Sequence, residues 1–216
     1  MQTGCECRET LTSYLQLRRP FQQLPSATAN ITVAADVSTF LENFSTPYGR
    51  RWTWGNVVVR ASFSSKFLSE AMSLFEQRNT RLIAKGGKGE ILPTALFQPI
   101  PLNVLEAMQK NGGNALGLTP SDGPLIMVSF PLTWTNPQND KLVYGATRKL
   151  IADVEEAAKK YKVYTGYVYM NYADAKQEVQ KSYGQKNYKR LQKIARKYDP
   201  QGKLARLWKG YFKLNL

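Results

Sequence analysis

Apolar residues recur along this chain with two different periods, and the switches between them mark its elements. In "SKFLSEAMSLFEQRN" (65–79), Phe67, Leu68, Ala71, Met72 and Phe75 fall on one helical stripe, with Ser65 placed to cap its start. In "YGATRKLIADVEEAAKKYK" (144–162), Ala146, Leu150, Ile151, Val154, Ala158 and Tyr161 predict the clearest helix of the chain. "LNVLEAMQK" (102–110) predicts a short helix stopped by Asn111-Gly112-Gly113. Two basic helices are expected near 174–182 and 186–198, the second ended by Asp199-Pro200, because proline disfavours helical geometry in the residue before it. In the second, Tyr188, Leu191, Ile194 and Ala195 form the expected inner face. "ITVAADVSTFLENF" (31–44) reads as a strand passing into a helix through Val37, Phe40, Leu41 and Phe44.

Period-two alternation and β-branched runs predict strands at about 54–62, within 84–101, at 114–118, at 123–134 and at 163–172. "TPSDG" (119–123) is a turn signal. "GGKGE" (86–90) is also read as a turn, because the Lys-Ser/Thr and helix of a phosphate-binding loop do not follow it. The order of elements predicts an α+β fold, a mostly antiparallel sheet covered by helices with a helical C-terminal segment. The expected organisation is an irregular segment over 1–29, an α+β domain over 30–172 and the helical segment over 173–216.

Composition narrows the chemistry. The chain has 216 residues, 43% of them hydrophobic, enough for one good core. No histidine occurs, which removes Ser–His and Cys–His nucleophile pairs and histidine-ligated metals. The cysteines, Cys5 and Cys7, do not make a zinc site by themselves, and no metal site is expected. Proton transfer is left to Tyr, Lys, Asp or Glu. No apolar run is long enough to span a membrane and no secretory leader is read, so the default expectation is cytoplasmic. Two Asn-X-Ser/Thr sequons, at Asn30 and Asn43, are read as chance matches on that ground.

Net charge is +14, and residues 174–216 hold twelve Lys or Arg against three acids. Such a tail suits nucleic acid or an anionic surface, and equally a solvated helix face. Its aromatic residues are not interleaved with the basic ones as stacking platforms, so nucleic-acid binding is not expected.

"YTGYVYMNYADA" (164–175) concentrates tyrosines around one asparagine. On a strand, Tyr167, Tyr169 and Asn171 would share one face and Val168, Met170 and Tyr172 the other. A phenol–phenol–amide row could line a site for a flat ligand, the amide donating and accepting at a ring edge and the phenol exchanging a proton. Tyrosine is also an ordinary strand residue, and a plain structural role stays open.

"YMNYADA", then "SYGQKNYKRLQKIARKYDPQG", then "KGYFKL" resemble the C-terminal signature of FAD-linked oxidoreductases of the berberine-bridge-enzyme-like group, with fungal secondary-metabolism members most similar. "NVVVRASFSSKFLSE", "FQPIP" and "GGNALGL" follow the same order upstream, so the resemblance covers roughly residues 30–216. Leu204 and Ala205 depart from it, standing where an apolar-Phe pair is usual. The resemblance implies a substrate domain plus a C-terminal segment that in the family returns to the flavin domain. The pyrophosphate-binding half, with its covalently flavinylated histidine, is not matched. It implies a catalytic role for Tyr169, where a tyrosine can assist substrate deprotonation, and a cofactor-binding role for Asn171 beside the flavin ring. FAD is the family's cofactor, and this chain alone is expected to hold it weakly at best.

The expected function is therefore that of a truncated FAD-linked oxidoreductase of secondary-metabolite biosynthesis, with little activity alone and an unidentified small-molecule substrate. Full-length relatives oxidise an organic substrate by hydride transfer to flavin. The alternatives are a non-enzymatic binding module derived from that family, self-associating through surface left by the missing domain, and a basic nucleic-acid-binding protein.

Overall fold

The computed structural model describes residue 38 and residues 48–62, 65–210 and 212–214. Gly49–Leu216 forms one compact unit, within which all the elements below fall. The expected strand–helix at 31–44, both cysteines and both sequons lie outside the described residues, Ser38 excepted.

Among the described residues, six strands form two three-stranded antiparallel sheets. β1 (Arg51–Thr53), β6 (Leu132–Trp134) and β3 (Leu92–Pro93) make one, in the order β1-β6-β3. β2 (Asn56–Arg60), β5 (Leu125–Ser129) and β4 (Leu96–Ile100) make the other, in the order β2-β5-β4. The register carries through from one sheet to the other. Thr53 faces Leu132 and Asn56 faces Ser129; Pro93 faces Leu132 and Leu96 faces Ser129. The two sheets are thus one antiparallel layer pinched in the middle. The pinch falls at Pro131, which has no N–H for the ladder. Opposite it, Phe130 N–H still donates to the Gly55 carbonyl at 3.1 Å. The α+β class holds; the strands expected within 84–101 and at 123–134 are each divided at or near this crease, the strand expected at 54–62 is β2 alone, and β1 precedes it.

Two long helices cover one face. α1 (Ser65–Gly86) begins at the expected residue and runs seven residues past the expected end. α3 (Asp140–Lys160) starts four residues before its expected start. Their apolar stripes meet Val57, Val59 and Val128 of the sheet through Phe67, Ala71, Leu150 and Val154, all buried. Arg78 and Asp153 pair between the helices, and Glu70 accepts from Lys160 Nζ and Tyr161 Oη, each at 2.7 Å. The other sheet face carries Val58, Leu125 and Met127. It is covered by Leu105 of α2 (Leu102–Ala107), by Leu118, and by Tyr167, Val168, Val179 and Tyr183 of the C-terminal part.

Three expected elements differ. Residues 114–118 are not a strand. Asn114 Oδ1 turns the backbone by accepting from Leu116 N, and Gly117 (φ 79°) lies so close to residue 183 that a Cβ there would sit 2.3 Å from the Tyr183 carbonyl oxygen. The expected strand at 163–172 is reduced to one bridge, Val59 with Tyr164, after which Gly166 (φ 78°) turns the chain away. The helix expected at 174–182 is only α4 (Val179–Ser182). α5 (Gln185–Tyr198) matches its expected span and ends at Asp199-Pro200, and α6 (Lys203–Leu207) follows. Of the expected inner face of α5, Tyr188, Leu191 and Ala195 are partly buried, but Ile194 is exposed.

Candidate functional site

Leaving the sheet, the chain is held by side chains in place of a ladder. Thr165 N–H and Oγ1 both donate to the Val58 carbonyl, at 3.3 and 2.7 Å. Val168 N–H donates to Ser182 Oγ at 3.0 Å. The fully buried Asn56 carboxamide then acts as a substitute strand partner. Its Oδ1 accepts from Tyr169 N at 2.9 Å and its Nδ2 donates to the Tyr169 carbonyl at 3.0 Å. Gln177 does the same for Asn56, donating to its carbonyl at 2.8 Å and accepting from its N–H at 3.3 Å. Gln177 Oε1 also accepts from Asp174 N at 3.0 Å. Two interlocked amides thereby fix the backbone of residue 169.

From that anchor, Met170–Tyr172 forms a single turn of 3-10 helix. Asn171 is exposed, and its Nδ2 donates to Tyr169 Oη at 2.9 Å. The two candidate residues do meet, but through a turn and not through strand alternation. The third member of the expected row is separated from them. Tyr167 points into the core, 4% exposed, stacked on Tyr183 with centroids 5.9 Å apart. Burial pushes both phenols up from their ordinary value, which keeps them protonated and removes them as bases. Tyr164 is likewise pushed up to about 12, by burial first and then by Glu155.

Tyr172, expected on the opposite face, instead touches Tyr169 edge-on at 5.2 Å and stacks on Trp54 at 4.4 Å. Trp54 is followed in turn by Trp52, 6.4 Å away and nearly parallel. The site therefore includes three residues that the sequence reading did not name, Asn56, Gln177 and Trp54, and a fourth, Tyr172, that it placed on the opposite face. One signal was present for Asn56, a carboxamide at a sheet-facing position opening the run "NVVVR".

A separate cleft of about 440 Å³ lies between α3 and residues 164–182. It is lined by Arg148, Glu155, Asp174, Lys176, Glu178 and Lys181, and neither Tyr169 nor Asn171 borders it. Its charges are mostly matched: Arg148 Nε donates to the buried Asp174 at 3.0 Å, and Lys181 pairs with Glu178. The phenol–amide pair offers the sharper chemistry. An amide N–H donated to a phenol oxygen supports negative charge there and leaves the phenol's own O–H for a ligand.

For FAD, the described residues fit in part. Asn171 could meet a ring edge. Nothing among them forms a pyrophosphate cradle: the Gly87–Gly89 turn is followed by β3 and not by a helix N-terminus, and no neighbour stands within 4 Å of a Cβ built at Gly89. No helix among the described residues is long and apolar enough to cross a membrane.

The molecule is an α+β unit that displays a tyrosine–asparagine pair at the end of an aromatic row. Comparison with known proteins places it further. Residues 168–203, which contain that pair, match the family described as berberine and berberine like. Over 191 residues, 88% of its length, the chain is 31% identical to the FAD-dependent monooxygenase tpcD of Cochliobolus heterostrophus, covering 36% of that protein. It is 31% identical to the FAD-dependent monooxygenase FUP4 of Fusarium proliferatum over 87% of this chain and 36% of the relative. With sdcF of Emericella nidulans, also named an FAD-dependent monooxygenase, identity is 28% over 94% of this chain and 42% of the relative. The chain belongs to the berberine-bridge-enzyme-like group of FAD-linked proteins. It spans well under half the length of these relatives.

Proposed function

We propose that this chain forms the substrate side of a flavin-dependent oxidoreductase of fungal secondary metabolism, with Tyr169 as the proton-handling phenol and Asn171 as its partner at the flavin edge. The observation that carries the reading is the 2.9 Å hydrogen bond from Asn171 Nδ2 to Tyr169 Oη, set at an open edge by the Asn56 and Gln177 clamp. The flavin, when bound, supplies the redox chemistry. This chain's residues hold the substrate against Tyr169, whose phenolate, supported by the Asn171 amide N–H, takes the substrate's proton and becomes the neutral phenol. The dinucleotide would be held by polypeptide outside the described residues.

The test is a chimera in which the aligned residues of this chain replace those of the tpcD relative. Tyr169→Phe in that chimera should lower kcat by about 10²- to 10⁴-fold with flavin content unchanged. An unchanged kcat would remove Tyr169 from the chemistry.

A second reading has its own observation. Ile194, Tyr198, Leu204, Leu207 and Trp208 are all exposed along α5 and α6, an apolar surface that suits self-association or a partner chain.

A further inference from the structure

The cleft of about 440 Å³ between α3 and residues 164–182 has walls of two kinds. Ile151 and Ala152 of α3, with Tyr164 and Val168, give it an apolar lining. Charged side chains stand around them, and their pairing decides the sign of what is left over. Arg148 Nε donates to the buried Asp174 carboxylate at 3.0 Å. Lys181 pairs with Glu178, and Lys159 donates to Glu155 at 2.6 Å, one turn away on α3. Each acid of the lining thus has a cation of its own. Lys176 is the remainder. It is exposed and enters no ion pair among the described residues. Its backbone N–H donates to Asp174 Oδ1 at 2.9 Å, so the residue is tied to the wall while its ammonium stays uncommitted. Lys176 and Lys181 also line an adjoining cavity of about 270 Å³, where Lys213 joins them and Glu178 is the single acid of the lining. The positive surplus therefore continues beyond the cleft. One uncommitted cation beside an apolar wall, on a chain of net charge +14, suits an organic monoanion.

We propose that this cleft binds an apolar monocarboxylate, its hydrocarbon body against Ile151, Ala152 and Val168 and its carboxylate at the Lys176 ammonium. Removing the body from water supplies affinity, and the charge-assisted pair selects the sign of the ligand. Neither Tyr169 nor Asn171 borders the cleft, so the site stands apart from the roles proposed for them.

The experiment is an NMR titration of the 216-residue chain with three probes: 2-naphthoate, its neutral isostere 2-naphthamide, and acetate. 2-Naphthoate should give saturable amide shifts at Ala152, Val168 and Lys176. The amide should bind about three- to tenfold more weakly, for want of the charge, and acetate at least about tenfold more weakly, for want of the body. Lys176→Gln, at an exposed position that the fold does not need, should abolish the preference for the acid over the amide. Lys141→Gln removes the same charge from the exposed start of α3, outside the cleft, and should leave that preference intact. Tyr169→Phe should leave it intact as well. The proposal is overturned if 2-naphthoate gives no saturable shifts, if its shifts are confined to α5 and α6, or if acid and amide bind equally to the parent chain. A preference that survives Lys176→Gln, or that Lys141→Gln lowers as much, also overturns it, leaving only the diffuse field of a basic protein.

Discussion

Gly55 stands where β1 passes into β2, pressed against α3. A Cβ built there would lie 1.8 Å from Ile151 Cδ1 and 2.7 Å from Ile151 Cγ1. The bend that positions Trp54 beside Tyr172 therefore depends on a residue without a side chain. Gly55→Ala should destabilise the fold by about 1–3 kcal/mol through overpacking. Ile151→Val, which removes the clashing methyl, should recover part of that loss when the two are combined. A double-mutant cycle in urea checks this, and simple additivity would mean that the contact does not matter. The same scale explains the tyrosines. All share one residue type and one short stretch, yet Tyr167 is core and Tyr169 is at the edge. The difference comes from Gly166, beside Tyr167, and from the Asn56 clamp, 113 residues from Tyr169.

At the scale of elements, Glu90 ties a turn to a helix. It closes the "GGKGE" turn and caps the chain entering α3: its carboxylate accepts from Thr135 Oγ1 at 2.7 Å, from Thr135 N at 2.9 Å and from Asn136 N. These hydrogen bonds, Thr135 hydroxyl first, hold the Glu90 carboxyl below the usual carboxylate range. Asp140 is held low by Arg51, and Glu70 by Lys160 and Tyr161. A carboxylate depressed in the folded state contributes stability above its unfolded pKa of about 4 and loses it as pH falls through the folded value. Melting temperature should therefore fall between about pH 5 and pH 3, and Glu90→Gln should flatten part of that fall. A pH profile indistinguishable from the parent would show that the clamp contributes nothing. The helices around this joint were legible in the sequence because a 3.6-residue period survives any tertiary context that buries one face. The segment at 163–172 was not legible as a turn, since its alternation matches a strand and the amides that replace the ladder are distant in sequence.

At the scale of the whole molecule, the chain has a well-covered sheet and a poorly covered C-terminal flank. Leu207 is 78% exposed and Trp208 63%, beside a strongly basic α5. Purified alone, the chain should carry no stoichiometric flavin, because its described residues offer no pyrophosphate cradle. A flavin absorbance band surviving gel filtration would contradict that. It should also self-associate through the α5–α6 flank: sedimentation velocity should show dimers or larger species that revert towards monomer in Leu207→Lys with Trp208→Ser. A clean monomer in the parent would remove the association reading.

The sequence by itself determined the α+β class, the long helices, the helix stop at Asp199-Pro200 and the family, because periodicity and ordered motifs are properties of the chain in one dimension. Only the tertiary structure decided that two sheets are one creased layer, that Tyr167 leaves the row, and that Trp52, Trp54 and Tyr172 complete the edge where Tyr169 meets Asn171. Those outcomes depend on side chains a hundred residues apart competing for the same backbone groups, and local pattern carries no record of that competition.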